Sequence, residues 1–223
     1  MEGLLGQLDG ENTCAGRKPM IFDPAASSPI DIYKLLVGAI VPRPIAFVSS
    51  LSPEGILNLA PFSFFTAVSA NPPVICFSPM IRGNDASRKD TLRNVELTGE
   101  FVVNIVSEEF VGKMNICSTE FPPDVDEFAA SGLTPIPSDL VAPPLVKESR
   151  IQMECRLVQI VHISPKPLGG SLVIGEVVRF HIDPAVWDHG KIDPEKLHAV
   201  GRMAGATYAR TTDRFELERP KLP

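Results

Sequence analysis

Proline is distributed unevenly along this chain, and its placement limits where long helices can form. Proline lacks a backbone N–H and disrupts helix interiors and central strands. Its 22 copies are frequent before residue 80 and within 122–144, and they are absent from 80–121, 145–164 and 168–183. Long helices are therefore confined mainly to 80–121 and to the C-terminal part of the chain. An all-helical bundle is excluded.

Charge argues against nucleic acid as the main partner. The 223 residues carry 21 Lys and Arg against 27 Asp and Glu, a formal net charge of −6. Binding to a phosphate backbone needs concentrated Lys and Arg. From Pro44 to Ile81 the one charged residue is Glu54. A membrane span needs about 20 uninterrupted apolar residues. Prolines and asparagines interrupt this stretch, so we expect a buried sheet and no membrane partner.

Cysteine usage points to a reducing compartment. Cys14, Cys76, Cys117 and Cys155 are widely spaced and form no Cys-x-x-Cys pair. Four free thiols in a reducing cytosol are the simplest interpretation. The N-terminal residues lack the basic start and the apolar run of a secretory signal. We therefore expect a cytoplasmic protein.

Alternating apolar residues and turn signals predict a mainly β fold with peripheral helices. Extended segments are expected at 44–52, 56–68, 74–77, 101–106, 150–157 and 172–182. The last two should pair as a hairpin, with Gln152 and Glu154 on the polar face. The segment 56–68 should bend at Pro61. Together these segments predict a closed or nearly closed antiparallel barrel.

One domain accounts for most of the chain. We expect an irregular leader over 1–29, the domain over 30–210, and a C-terminal tail over 211–223. Internal repeats and long linkers are absent from the sequence. The proline-rich segment 119–145 lies within the domain, and the sequence assigns it no role.

The first candidate site is a basic loop that leads into a helix. Residues 78–94 place Arg82 and Lys89 ahead of a predicted helix that starts at Asp90-Thr91, with Asp90 as the N-cap. Free N–H groups and the positive end of the helix dipole favour an anion there. Lys89 adds a charge and the Thr91 hydroxyl adds a donor. The alternative is an ordinary capped helix with solvated basic residues.

The second candidate site is the strand NLAPFSFF at 58–65. It places Asn58 and Ser63 in a charge-free segment beside several phenylalanines. A planar heteroaromatic ligand needs apolar walls and a few fixed donors and acceptors. The alternative is a core strand with two satisfied polar side chains.

Other kinds of site find less support in the sequence. The four histidines show no zinc-type spacing with each other or with the cysteines, and no serine lies in a nucleophile-elbow pattern. Glycine-rich loops of the G-x-G-x-x-G and Walker types do not occur. We therefore predict no metal site and no catalytic side chain. Any nicotinamide cofactor would be held without a Rossmann domain.

An ordered series of motifs joins the two candidates. In chain order they are PRPIA at 42–46, VSS at 48–50, Gly55, NLAPFSFF at 58–65, Pro72-Pro73, KDT at 89–91 with Asn94, GEFVVN at 99–104, GEV at 175–177 and Gly201-Arg202. This set, spread over about residues 30–210, resembles the flavin reductase-like, FMN-binding split-barrel family, which includes the flavoredoxins.

That resemblance implies a Greek-key split β-barrel that forms a homodimer and binds FMN near the subunit interface. Lys89 and Thr91 match the family's residues on the phosphate side of FMN. Ser49, Ser50 and Ser78 match positions near the ribityl chain or the phosphate.

The strand that lies against the isoalloxazine ring is matched by four residues: Asn58, Ala60, Pro61 and Ser63. Arg82 and Asp90, at the start of the predicted helix, complete the expected cofactor-binding set. Arg43 and Arg202 lie within matching motifs but receive no role.

The activity implied by the resemblance is that of an NAD(P)H-dependent FMN reductase, with NADH or NADPH as the electron donor. An alternative is a non-enzymatic FMN-binding electron carrier of the flavoredoxin type, which takes electrons from a protein partner. A third interpretation is a split-barrel protein that binds no flavin and has a structural role.

Overall fold

The computed structural model describes residues 18–220. Its helices are α1 (Pro29–Ala39), α2 (Asp90–Thr98), α3 (Val111–Ile116), α4 (Glu127–Ser131) and α5 (Pro194–Leu197), with a 3₁₀ turn at Pro184–Val186. Its strands are β1 (Ala46–Leu51), β2 (Leu57–Phe62), β3 (Phe65–Ala70), β4 (Pro73–Phe77), β5 (Glu100–Ile105), β6 (Pro135–Ile136), β7 (Leu145–Val146), β8 (Ile151–His162), β9 (Ser171–Ile182), β10 (Trp187–Asp188), β11 (Lys191–Ile192), β12 (Val200–Arg202) and β13 (Tyr208–Arg210).

Seven strands form one antiparallel sheet in the order β2-β1-β5-β8-β9-β4-β3. The two edge strands, β2 and β3, follow each other in the chain. The rings of Phe62 on β2 and Phe77 on β4 lie 5.2 Å apart, so the sheet curls until its two ends share one core. The mainly β, split-barrel architecture is confirmed, and the split lies between β2 and β3.

The barrel interior is apolar and is closed at one end by α2. Phe77 and Phe101 meet edge to face at 5.4 Å, and both are fully buried. Leu92 and Val95 of α2 pack against this core. Only glycine fits at position 175, because a Cβ there would lie 2.4 Å from the Phe101 ring. Helix α2 is thus fixed in position by its buried face, which matters for the residues at its start.

A second apolar layer covers the outer face of β1 and β2. Phe47 and Leu59 point into it and meet Phe110, Met114 and Phe128 from the region of α3 and α4. These residues are all buried. The barrel wall that carries β2 is therefore packed on both faces, and only its free edge remains available to a ligand.

The proline-rich segment packs on the outer face of β8. The carboxylate of Glu154 accepts backbone N–H bonds from Asp139, Leu140 and Val141 at 2.6–3.1 Å. Glu154 is fully buried and Gln152 nearly so. The alternation of 150–157 thus predicts the correct two faces of the strand, and both faces are covered over residues 151–155.

The predicted strand 56–68 is two strands, which corrects the expected bend at Pro61. The break falls at Ser63 and Phe64, because β2 pairs with β1 while β3 pairs with β4. Pro61 lies inside β2. The N–H of Leu59 donates to Glu127, outside the sheet, so it points towards the free edge of β2. The nitrogen of Pro61, two residues later in the strand, points the same way. Proline is tolerated there because no ladder bond is lost.

The remaining expectations concern the termini, the thiols and the membrane. The elements run from Pro29 to Arg210. Residues 18–28 and 211–220 contain no helix or strand, and 1–17 and 221–223, with Cys14, lie outside the described residues. The three described cysteines are free and buried. Within 18–220, no helix has the length and apolar character needed to cross a membrane.

Candidate functional site

Two adjoining clefts lie between the end of β2 and the start of α2. The larger encloses about 340 Å³ and the smaller about 90 Å³. Both are lined by Pro61, Phe62, Arg82 and Lys89. We call the two clefts together the β2–α2 groove. They bring the two candidate segments of the sequence to one place.

The start of α2 has no side-chain cap within the described chain. Lys89, with φ −64° and ψ 141°, is the N-cap residue, and Asp90 is the first residue of the helix. The expectation that Asp90 caps the helix is therefore wrong. Its carboxylate instead pairs with Arg82 at 3.2 Å and with Arg93. The first-turn N–H groups thus keep the partial positive charge that favours an anion.

Arg82 is the most buried cation of the groove, with 14% of its side chain exposed. Its Nη1 donates to Ser87 Oγ at 3.0 Å. Its Nε is buried and has no hydrogen-bond partner among residues 18–220. A buried donor of this kind is costly unless a ligand or water satisfies it. Arg82 therefore favours an acceptor group in the groove.

Hydrogen bonds among buried polar side chains form the floor of the groove. Asn58 Nδ2 donates to Thr91 Oγ1 at 2.8 Å and to Ser50 Oγ at 3.1 Å. Asn94 Nδ2 also donates to Ser50 Oγ, at 3.1 Å. Because Thr91 Oγ1 accepts from Asn58, its own proton is free for another acceptor. The network thus fixes α2 to β2 and leaves one hydroxyl donor beside Lys89.

Most of the expected cofactor-binding residues meet at the groove. Its lining includes Asn58, Ala60, Pro61, Ser63, Ser78, Arg82, Lys89, Asp90 and Thr91. Ser50 lies beneath it as part of the polar floor. Ser49 does not line the groove, which corrects the expectation that it lies near the ribityl chain or the phosphate. Successive strand residues point to opposite faces, and Ser49 Oγ donates to the Pro144 carbonyl on the other side of β1.

Two acidic residues of the groove, Glu120 and Glu127, are not identifiable from the sequence pattern. Glu120 Oε1 lies 3.4 Å from Lys89 Nζ and 3.7 Å from Arg82 Nε. Glu127 is 9% exposed and its Oε2 accepts the Leu59 N–H at 3.0 Å. Burial raises the pKa of Glu127 to about 7, against the lowering effect of the Leu59 hydrogen bond. Both residues belong to the proline-rich segment, where no periodic signal places them.

Ser63, at the split between β2 and β3, is held by Arg43. Arg43 Nε donates to Ser63 Oγ at 3.2 Å. The Arg43 guanidinium also binds the carbonyl oxygens of Val37, Ile40 and Met203 at 2.7–2.9 Å. Arg43 is 5% exposed, so this clamp fixes the hydroxyl at the mouth of the groove.

The groove therefore combines two features that suit different parts of one ligand. Its α2 end holds Arg82, Lys89 and the Thr91 hydroxyl, which suit a phosphate or another compact anion. Its β2 end offers a mostly apolar strand edge with Ser63 at the corner, which suits a flat ring. An amphipathic ligand with a planar head and an anionic tail fits both ends.

Solved structures with the same fold include a monooxygenase component, a nitroreductase and a flavin reductase. Nitrilotriacetate monooxygenase component B from Bacillus cereus is 40% identical, with a TM-score of 0.85, over 90% of this chain and 100% of its own. The 2-nitrobenzoate 2-nitroreductase of Pseudomonas fluorescens is 31% identical, with a TM-score of 0.81, over 92% and 98%. A protein described as a flavin reductase with a split barrel domain, from Shewanella frigidimarina, is 25% identical, with a TM-score of 0.76, over 91% and 100%.

The sequence also matches a family model over most of its length. The matched residues are 37–196, and the model describes a flavin reductase like domain. This range contains β1, β2, α2 and every lining residue of the β2–α2 groove except Tyr33. The chain belongs to the flavin reductase-like family.

Proposed function

We propose that this chain binds FMN in the β2–α2 groove and acts as an NAD(P)H-dependent flavin reductase. Bound FMN would supply the redox chemistry by accepting hydride at its N5 atom from NADH or NADPH. The observation that carries the proposal is the meeting of Arg82, Lys89 and the Thr91 hydroxyl at the start of α2, beside the edge of β2. The Nε of Arg82 is buried and makes no hydrogen bond within the described part of the chain, which supports the fit of an anionic group in the groove.

The start of α2 would hold the phosphate. Lys89 and Arg82 supply positive charge, and the Thr91 hydroxyl supplies a donor whose direction is set by Asn58. Hydrogen bonds between ionised partners are stronger than those between neutral ones. The phosphate end of the ligand should therefore contribute a large share of the binding energy.

The end of β2 would hold the ring. Ala60 and Pro61 offer a charge-free surface along the free edge of the strand. Ser63 Oγ accepts from Arg43 Nε, so its proton points elsewhere and can be donated to a ring heteroatom. A donor at that corner would stabilise negative charge on a reduced ring.

The side chains of the groove suit binding and orientation. A flavin carries out hydride transfer itself, and the protein positions it and tunes its environment. This division of labour agrees with the predicted lack of a catalytic side chain. The solved relatives named for monooxygenase and nitroreductase activities support an oxidoreductase role.

The second candidate function is an FMN-binding electron carrier. Its support is a fold shared with the flavoredoxin of Desulfovibrio vulgaris, with a TM-score of 0.67 at 21% identity. Both functions need the same groove. A carrier would be reduced only by a protein partner, whereas a reductase would oxidise a free nicotinamide.

A homodimer is part of the proposal. Leu36 and Ile40 of α1 are 45% and 56% exposed, and they border an apolar cleft of about 450 Å³ that also reaches Ser63 and Phe65. A second copy of the chain on this face would cover the apolar side chains and lie next to the groove. Light scattering should therefore give twice the mass of one chain.

Steady-state oxidation of NADH and NADPH by the purified protein tests the proposed activity. We expect the absorbance at 340 nm to fall in the presence of FMN, with one nicotinamide preferred. A protein that binds FMN but oxidises neither nicotinamide would instead support the electron carrier. A protein that binds no FMN would favour the flavin-free interpretation.

A further inference from the structure

A second cleft lies beside the end of β2, next to the hairpin of β12 and β13. It encloses about 160 Å³ and is lined by Ile45, Pro61, Ser63, Met114, Arg202 and Tyr208, among others. We call it the hairpin cleft. Sites that enclose drug-sized ligands occupy about 300–1,000 Å³, so this cleft fits a single ring with a small substituent.

Arg202 supplies positive charge to the hairpin cleft. Its guanidinium carbon lies 4.5 Å from the centroid of the Tyr208 ring, and one of its nitrogens donates to the Gly205 carbonyl. Within residues 18–220, no carboxylate oxygen lies within 4.0 Å of its side-chain nitrogens. Most of its donors therefore remain available to a ligand.

Several contacts fix Arg202 in place. The Tyr208 hydroxyl donates to Asn115 Oδ1 at 3.1 Å, which holds the ring on which the guanidinium stacks. A Cβ at Gly201 would lie 2.8 Å from the Cβ of Pro42, so only glycine permits this close approach. The approach places Arg202 beside Arg43, with which it exchanges two backbone hydrogen bonds of 3.0 and 2.8 Å.

Arg43 adds a second positive charge behind the cleft. Its side-chain partners in the described chain are three carbonyl oxygens and the Ser63 hydroxyl, and none is a carboxylate. The Ser63 oxygen accepts from Arg43, and its one proton is the donor proposed for the flavin ring. The two guanidinium groups therefore favour an anion here.

We propose that the hairpin cleft binds a small aromatic carboxylate beside the flavin ring, with Arg202 pairing with the carboxylate. This inference rests on the proposed function, because Pro61 and Ser63 line both this cleft and the β2–α2 groove. The planar fork of arginine matches both oxygens of a carboxylate. Ile45 and Met114 supply apolar walls for the ring. The cleft thus accommodates the second substrate of a flavin-dependent reaction.

Benzoate and benzamide are suitable probes, because they share their size and shape and differ in charge. Each is titrated by calorimetry into the FMN-loaded protein, and the visible flavin spectrum is recorded on the same samples. We expect benzoate to bind at least tenfold more tightly than benzamide and to shift the flavin band. Arg202→Met should weaken benzoate at least tenfold and change FMN affinity less than twofold.

Two further variants make the experiment decisive. Arg202→Lys keeps the charge but not the planar fork, so we expect an intermediate loss of benzoate affinity. This variant still tests the proposal if the methionine variant does not fold. Arg210→Met, on the same hairpin, removes a guanidinium that pairs with Glu108 and should change nothing. Equal binding of benzoate and benzamide, or unchanged benzoate affinity in both Arg202 variants, would overturn the proposal.

The flavin spectrum tests separately whether the carboxylate lies beside the flavin ring. Benzoate that binds without changing the flavin spectrum would overturn that placement. Failure to bind FMN would contradict the proposed function instead. Benzoate titrated into the flavin-free protein would then decide whether Arg202 binds a carboxylate.

Discussion

Asn58 Nδ2 lies 2.8 Å from Thr91 Oγ1, and this hydrogen bond joins the edge strand of the barrel to the first turn of α2. Both residues are buried. The bond links the proposed ring site to the proposed phosphate site, and it leaves the Thr91 proton available for a ligand. The two ends of the groove are therefore expected to depend on each other.

A double-mutant cycle on this pair should show that dependence. Asn58→Ala and Thr91→Val should each lower the free energy of unfolding by about 1–3 kcal/mol, because each leaves a buried polar group without its partner. The coupling between them should be about 1 kcal/mol. Thr91→Ser keeps the hydroxyl and serves as the control, and denaturant unfolding is the measurement. Strict additivity would show that the bond contributes nothing to stability.

Lys89→Ala should weaken FMN and leave riboflavin nearly unchanged. The loss for FMN should be roughly 1.5–3 kcal/mol, the range for a hydrogen bond to a charged group, because riboflavin lacks the phosphate. Calorimetric titration with both flavins measures it. Lys196→Ala, at an exposed lysine on α5, is the matched control. Equal losses for FMN and riboflavin would place Lys89 away from the phosphate.

Glu120→Gln should have the opposite effect. Its carboxylate lies within 4 Å of both Lys89 Nζ and Arg82 Nε and therefore competes with an anionic ligand for the same cations. The variant should bind FMN several-fold more tightly and riboflavin about equally, with a larger loss of FMN affinity when salt is added, because the net charge opposite the phosphate is more positive. Glu54→Gln, on an exposed turn, is the control. Weaker FMN binding by Glu120→Gln would show that the carboxylate supports the site.

Glu127 should make folding stability depend on pH. Burial raises its pKa to about 7 from an ordinary value near 4.5, so the folded state holds a proton that the unfolded state has lost between those values. Stability should therefore fall as the pH rises from about 4.5 to 7, by about 3 kcal/mol, and level off above that range.

Glu127→Gln isolates that effect, because it keeps an oxygen acceptor for the Leu59 N–H and removes the titration. Thermal or denaturant unfolding between pH 4.5 and 8 should show a gap between wild type and variant that changes with pH. Parallel curves across the whole range would contradict the raised pKa of Glu127.

The sequence predicts the elements that are defined by local patterns. The proline-free stretch 168–183 and the alternation of 150–157 correctly predict the hairpin of β8 and β9. The motifs at 58–65 and 89–91 mark two segments that lie together in one groove. These features depend on periodicity and on residue type over a few positions, which a single sequence displays directly.

Long-range contacts could not be predicted in this way. Glu127 meets Leu59 across 68 residues, and Glu154 binds the proline-rich segment through three backbone N–H groups. Neither carboxylate differs in sequence from a solvent-exposed one. The break at Ser63 was missed for a related reason, since β2 and β3 read as one apolar run until each finds a different partner.

The cytoplasmic location, the homodimer and the preference for FMN remain predictions, as do the NAD(P)H dependence and the cofactor-binding role of the groove residues. Light scattering in the presence and absence of FMN addresses the second. Competition between FMN and FAD for the groove addresses the third, because the compact anion site around Lys89 suits a terminal phosphate.

Titration of the purified protein with FMN, followed by visible absorbance and flavin fluorescence, tests the central claim most directly. The account predicts saturable binding with a perturbed flavin spectrum, clearly tighter for FMN than for riboflavin, and a loss of that preference in Lys89→Ala. An unperturbed spectrum at all concentrations, or equal affinity for FMN and riboflavin in the wild-type protein, would contradict it.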